Sequence, residues 1–129
     1  MGQLLTKPGV VYFSPMPLAG QAILDALKAV AAALSFDLTV TSGADGTHSG
    51  PDDPHHKGLA YDVRSHDIPS PAKGNVLYAV MQTLATPGEQ PEHSSGGLIV
   101  HYFFGWIEAL GQAGEHYHFQ LRHGVQYPA

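Results

Sequence analysis

The sequence predicts an α+β fold, one small domain with a mainly antiparallel sheet and helices packed on one of its faces. Three observations lead there. Two segments carry apolar residues at helical spacing, several others alternate apolar and polar residues as half-buried strands do, and the strands follow closely enough to pair with near neighbours. A length of 129 residues suits a single unit, 1–129, that buries its own core.

The elements follow in order. "GVVYF" (9–13) reads as a short strand, broken by Pro15 and Pro17. Ile23, Leu24, Leu27, Val30, Ala31 and Leu34 mark a helix near 19–34, and its alanines favour that state. "DLTVTS" (37–42) alternates as a strand, residues 43–58 form a turn-rich loop, and "LAYDVRS" (59–65) returns to strand. A second helix near 70–85 opens on prolines and sets Val76, Leu77, Val80, Met81 and Leu84 on one side. "TPGEQPEHSSGG" is a loop, and "LIVHYFFGWIEAL" (98–110) is rich in β-formers but long enough to suit a helix. "HYHFQLRHGVQY" closes the chain as a strand and a tail. Phe103, Phe104 and Trp106 are expected in the core.

Composition narrows the function. Six Lys and Arg in a chain of net charge -5 cannot neutralise many phosphates, so nucleic acid is not an expected partner. No apolar run suits a signal peptide or a membrane span, which gives an expectation of cytoplasmic synthesis and no membrane partner. With no cysteine, any metal site must use His, Asp and Glu. Nine histidines, dispersed between His48 and His123, are the oddity of the composition.

Alternation places several of these together. In "HYHFQL", His116, His118 and Gln120 share one strand face; in "LAYDVRS", Ala60, Asp62 and Arg64 do. If strands 59–65 and 116–122 are neighbours, with 37–42 beside them, imidazole and carboxylate converge, and Ala60 leaves room for a ligand to approach. Two histidines and one carboxylate with an open fourth position are what a catalytic zinc site needs, with another carboxylate nearby to take a proton from water. Of the adjacent His55 and His56, His55 is preferred, because its neighbour points the other way in an extended chain.

"HHKGLAYD" contains His55-x-x-Gly58-x-Ala60-x-Asp62, and "EHYH" contains Glu115-x-x-His118. Together they resemble the zinc D-alanyl-D-alanine carboxypeptidase family, which includes L-alanyl-D-glutamate endopeptidases. The run "TSGADGTHSGPDDPHHKGLAYDVRS" further resembles its bacteriophage branch, and the likeness spans roughly residues 37–122. The resemblance implies that family's fold, Zn²⁺ held by His55, Asp62 and His118, and Glu115 as general base. His116, on the face of His118, joins Glu115 as a catalytic candidate. Asp45 and His48 are placed to orient a ligand, and Arg64 and Arg122 to supply positive charge to the substrate. Three positions depart from the family pattern: Asp53 stands where many members have Ser, Asp45 where the segment Ser-Gly-x-Arg would put Arg, and Tyr117, a mild change, where relatives often have Trp or another bulky residue. The implied activity is hydrolysis of peptidoglycan stem peptides by a phage-encoded, virion-associated or lysis-released enzyme. The alternative is a binding or structural module of a virion or tail, partnered by other virion proteins.

Overall fold

The computed structural model describes residues 2–45, 50 and 52–128. Among these described residues, seven strands and two helices follow one another: β1 (Leu4–Thr6), α1 (Leu18–Leu34), β2 (Leu38–Ser42), β3 (Ala60–Arg64), α2 (Ser70–Leu84), β4 (Glu92–Ser94), β5 (Gly97–Ile99), β6 (Phe103–Glu108) and β7 (His116–Leu121). A 3-10 turn, Pro54–Lys57, precedes β3. The strands form one sheet in the order β1-β2-β3-β7-β6-β5-β4, antiparallel except for the parallel β1–β2 pair. It is a small α+β architecture with two helices, as the alternating segments predict.

Alternation decides the two faces. Tyr61 and Val63 on β3, and Tyr117 and Phe119 on β7, are fully buried. They belong to one core with Ile23, Leu27 and Val30 of α1 and Val76, Val80 and Met81 of α2. Ten or so apolar side chains of this size, each contributing roughly 1.5–3 kcal/mol on burial, fix the sheet against the helix layer. Gly105 in β6 keeps that layer close, since a Cβ there would lie 2.7 Å from the Phe119 ring and 2.8 Å from the Met81 sulphur. The opposite sheet face is the one that carries His116, His118, Asp62 and Arg64. No described helix is long and apolar enough to cross a membrane.

Three segments differ from expectation. Residues 9–13 are not a strand: Gly9, at φ +92°, turns the chain, and Val11 is tied instead to a loop, its N–H donating to Asp45 Oδ1 and its carbonyl accepting from Ala44 N. The pairing expected there falls to the shorter β1. The loop 86–97 contains β4, which returns through Ser95 and Gly96, both at positive φ as a tight two-residue hairpin requires. Residues 98–110 hold β5, a turn and β6, with no helix; cross-strand pairing of Trp106 with His118 and Phe104 with Gln120 commits them to the sheet.

Candidate metal centre

β3 and β7 pair with Asp62 directly opposite His118, Arg64 opposite His116 and Ala60 opposite Gln120. Directly opposed residues on one face hold their Cβ atoms about 4.5–5.5 Å apart, so the two functional side chains meet without help from a loop. His118 Nδ1 lies 2.8 Å from Asp62 Oδ1. His55 arrives from the 3-10 turn. Pro54 starts that turn, Asp53 Oδ1 caps it by accepting from His55 N at 2.9 Å, and Gly58 ends it at φ +72°. A side chain at Gly58 would also strike Phe13 and Pro17. The extended conformation expected at residues 55 and 56 is thus replaced by a helical turn, yet His55 is still the inward one, 3% exposed, while His56 is only partly buried.

His55 Nε2 lies 3.3 Å from both Asp62 Oδ1 and His118 Nδ1. The three residues form a group able to hold a metal ion. Ligand atoms around a tetrahedral centre with zinc bonds of 2.0–2.1 Å stand about 3.3 Å apart. Two of the three separations already match, and the Asp62–His118 contact has to open by roughly 0.5 Å, a rotamer-scale adjustment. The donors present therefore fit the ion that the sequence motifs imply.

Charge organises the group. Burial works to raise the Asp62 carboxyl, but hydrogen bonds from His118 and His55 and their charges hold it well below the usual carboxylate range. Burial likewise works against charge on His118, and is outweighed by its hydrogen bonds to Asp62 and Gln120, so its pKa is raised. His118 Nε2 is 2.8 Å from Gln120 Oε1, while the Gln120 amide donates to Leu121 O, which sets the amide's orientation. The Trp106 ring lies 4.3 Å from the His118 ring, centroid to centroid. Together with Asp53, Pro54, Glu108, His116 and Gln120, these residues line an open cavity of about 310 Å³.

The remaining candidates are distributed unevenly. His116 faces this cavity: its Nδ1 is 2.7 Å from Gly114 O and, since a carbonyl only accepts, carries the proton, leaving Nε2 3.5 Å from Glu108 and 3.7 Å from Asp62. Glu115 is not brought into the group. Its Oε1 accepts from Ser65 Oγ at 2.6 Å and from the Lys73 ammonium at 2.5 Å, and its Oε2 accepts from Gly111 N at 2.8 Å. Those contacts, the Gly111 amide first, pull its pKa from 4.5 down to about 2. Asp45 binds Val11 N and Gly43 N and shapes its own loop. Arg122 donates to His101 O, away from the metal group. Arg64 stays on the site face beside Asp62. His48 lies outside the described residues.

Sequence reading missed Trp106 and Glu108 as site residues. The parity of β6 is the signal that finds them: Gly105 and Phe103 face the helices, so Phe104, Trp106 and Glu108 face the site. Phe103 is buried as expected, whereas Phe104 and Trp106 are only partly so. No protein-family model matches this chain, and no curated protein or solved structure shows significant similarity to it.

Proposed function

We propose that the protein is a zinc-dependent peptidase that hydrolyses stem-peptide bonds of bacterial peptidoglycan, in the manner of the D-alanyl-D-alanine carboxypeptidases that its two motifs resemble. The observation that supports this best is the convergence of His55, Asp62 and His118 on an open polar cavity. Two imidazoles and one carboxylate, with space beside them, are the donor set of catalytic zinc, whereas structural zinc is usually enclosed by four ligands rich in thiolate. When bound, the ion supplies a Lewis acid that polarises a carbonyl and acidifies a water.

The chain's own residues supply proton transfer. The resemblance names Glu115, but its oxygens are engaged by three donors on the side of α2. His116 offers Nε2 to the cavity while Nδ1 is held by Gly114 O, so in the neutral ring the free lone pair points at the site. We assign the proton acceptor to His116, with Glu115 fixing the start of β7. Digestion of purified peptidoglycan by the zinc-loaded protein, followed as released D-Ala and new amino termini, tests both levels. His116→Gln should cost roughly 10²-fold in turnover. A loss of that size in Glu115→Gln with His116→Gln intact would return the base to Glu115. No release by zinc-loaded wild type across several wall types would favour the second reading, a virion binding or structural module. The saturated Glu115 and the Asp at position 45 are the features that favour that reading.

A further inference from the structure

The cavity beside the metal group holds a second set of donors that the first ion leaves unused. β6 and β7 pair Glu108 directly opposite His116, so a carboxylate and an imidazole again meet across two strands. Asp62 divides its two oxygens between the sets. Oδ1 faces His55 and His118 at 3.3 and 2.8 Å, whereas Oδ2 faces His116 Nε2 at 3.7 Å. Glu108 Oε2 lies 3.5 Å from the same nitrogen. Because the His116 Nδ1–H donates to Gly114 O, Nε2 of the neutral ring carries a lone pair, and that lone pair confronts two carboxylate oxygens. Both separations are too long for a hydrogen bond and close to the roughly 3.3 Å between neighbouring ligand atoms on a tetrahedral zinc. A ring whose other nitrogen is tied to a backbone carbonyl is the usual state of a metal-binding histidine. Three donors, each attractive to a cation and none to one another, thus border a cavity of about 310 Å³, with space for an ion and its waters.

The second set is drawn together less tightly than the first. His55, Asp62 and His118 bring one donor atom each within 4.8 Å of one another, and among the described residues no other group of three does so. Glu108 has to close the second set, and its side chain, 53% exposed, has room to turn toward Asp62. Two dications on either side of one carboxylate also repel, which the shared Asp62 and the added charge of Glu108 offset only in part. The second ion is therefore the weaker. We infer that His116 Nε2, Glu108 and Asp62 Oδ2 bind a second zinc ion, more weakly than the first, with Asp62 bridging the two. Resting on the peptidase reading above, this ion takes up the lone pair assigned to proton transfer, so that one zinc ion activates the protein and a second stops it.

The test titrates chelator-stripped full-length protein with zinc, following the heat of binding, the metal content and the His116 ring nitrogens by NMR. Wild type should show two separable events, and the His116 Nε2 signal should move with the second only. His116→Gln and Glu108→Gln should each weaken the second event by at least about 10-fold, the lower end of what a lost supporting group costs at a metal site. The first event, and the thermal shift it brings, should match wild type in both variants, which shows that they fold. Saturation at one zinc per chain overturns the inference. So does a second event that persists in both variants, which is zinc held elsewhere on the surface. On purified peptidoglycan, hydrolysis should fall roughly 10²-fold as the second site fills, the scale of lost general-base help. In Glu108→Gln the same fall, measured against that variant's own one-zinc rate, should need more zinc. Undiminished hydrolysis with both sites filled would refute the inhibitory role. Two events that depend on His116 and Glu108, with no hydrolysis at either loading, would sink the peptidase reading and leave the second site standing.

Discussion

Asp62→Asn probes the metal group with little change of shape. It keeps the volume and removes the only negative charge among the three donors. In wild type, saturating the site to 100 times its dissociation constant with zinc should add about 2.7 kcal/mol of stability by linkage. For a domain of this size 1 kcal/mol corresponds to about 3–5 °C, so the melting temperature should rise by roughly 8–13 °C. If loss of the anionic ligand weakens binding about 100-fold, the same zinc concentration only equals the new dissociation constant. The gain then shrinks to about 0.4 kcal/mol, or roughly 1–2 °C. The zinc-free variant should itself be less stable by about 1.5–3 kcal/mol, because Asp62 Oδ1 accepts a charge-assisted hydrogen bond from His118 at 2.8 Å. Thermal melts in chelator and in buffered zinc, with the metal content measured on the same samples, separate the two effects. A wild type indifferent to zinc would refute the site. A full zinc shift retained in Asp62→Asn would place the ion elsewhere.

Three further outcomes follow from geometry. The Glu115 carboxyl is held at about 2, below its ordinary 4.5, so its stabilisation is complete above about pH 4.5 and is lost as the pH falls toward 2. Denaturation curves across that window should steepen in wild type and flatten in Glu115→Gln; parallel profiles would remove the clamp from the stability argument. Gly58→Ala should cost about 2–5 kcal/mol in chemical denaturation, combining a left-handed φ of +72° with a Cβ 2.7 Å from Phe13 Cβ, and should blunt the zinc shift by displacing His55. A loss below about 1 kcal/mol would mean that the turn yields easily. Phe119→Ala, at a fully buried position behind His118, should cost about 3–5 kcal/mol in the same assay, and a cost within experimental error would contradict the packing described.

The sequence makes the metal group legible because strand parity is a local property. His116 and His118 alternate with Tyr117 and Phe119, Asp62 alternates with Tyr61 and Val63, and burying the aromatic side of each strand leaves no freedom for the other side. The helices are legible for the same reason, since their apolar stripes need a sheet to cover. What stays hidden depends on chain reversal and on partners distant in sequence. No local signal shows that Val11 is bound by Asp45, 34 residues on, instead of joining the sheet. Glu115 shows where local reading stops. The parity that puts His118 in the site puts Glu115 with Tyr117, but that reading needs Ser65 and Lys73, 50 and 42 residues away, to show what the carboxylate meets there. Arg64 is visible in the sequence as a charge, while its lack of a counter-ion among the described residues is a fact of three dimensions only.

The sheet order has a consequence for how the molecule is made. β7 is the last strand in chain order and lies between β3 and β6. His118 follows Asp62 by 56 residues and His55 by 63. A growing chain lacking residues 116–121 therefore holds two half-sheets with open inner edges, each a template for pairing with other chains. The same step that closes those edges also brings the last metal ligand to the other two. Protection from aggregation and acquisition of the metal group are one event, set by the arrival of a single six-residue strand.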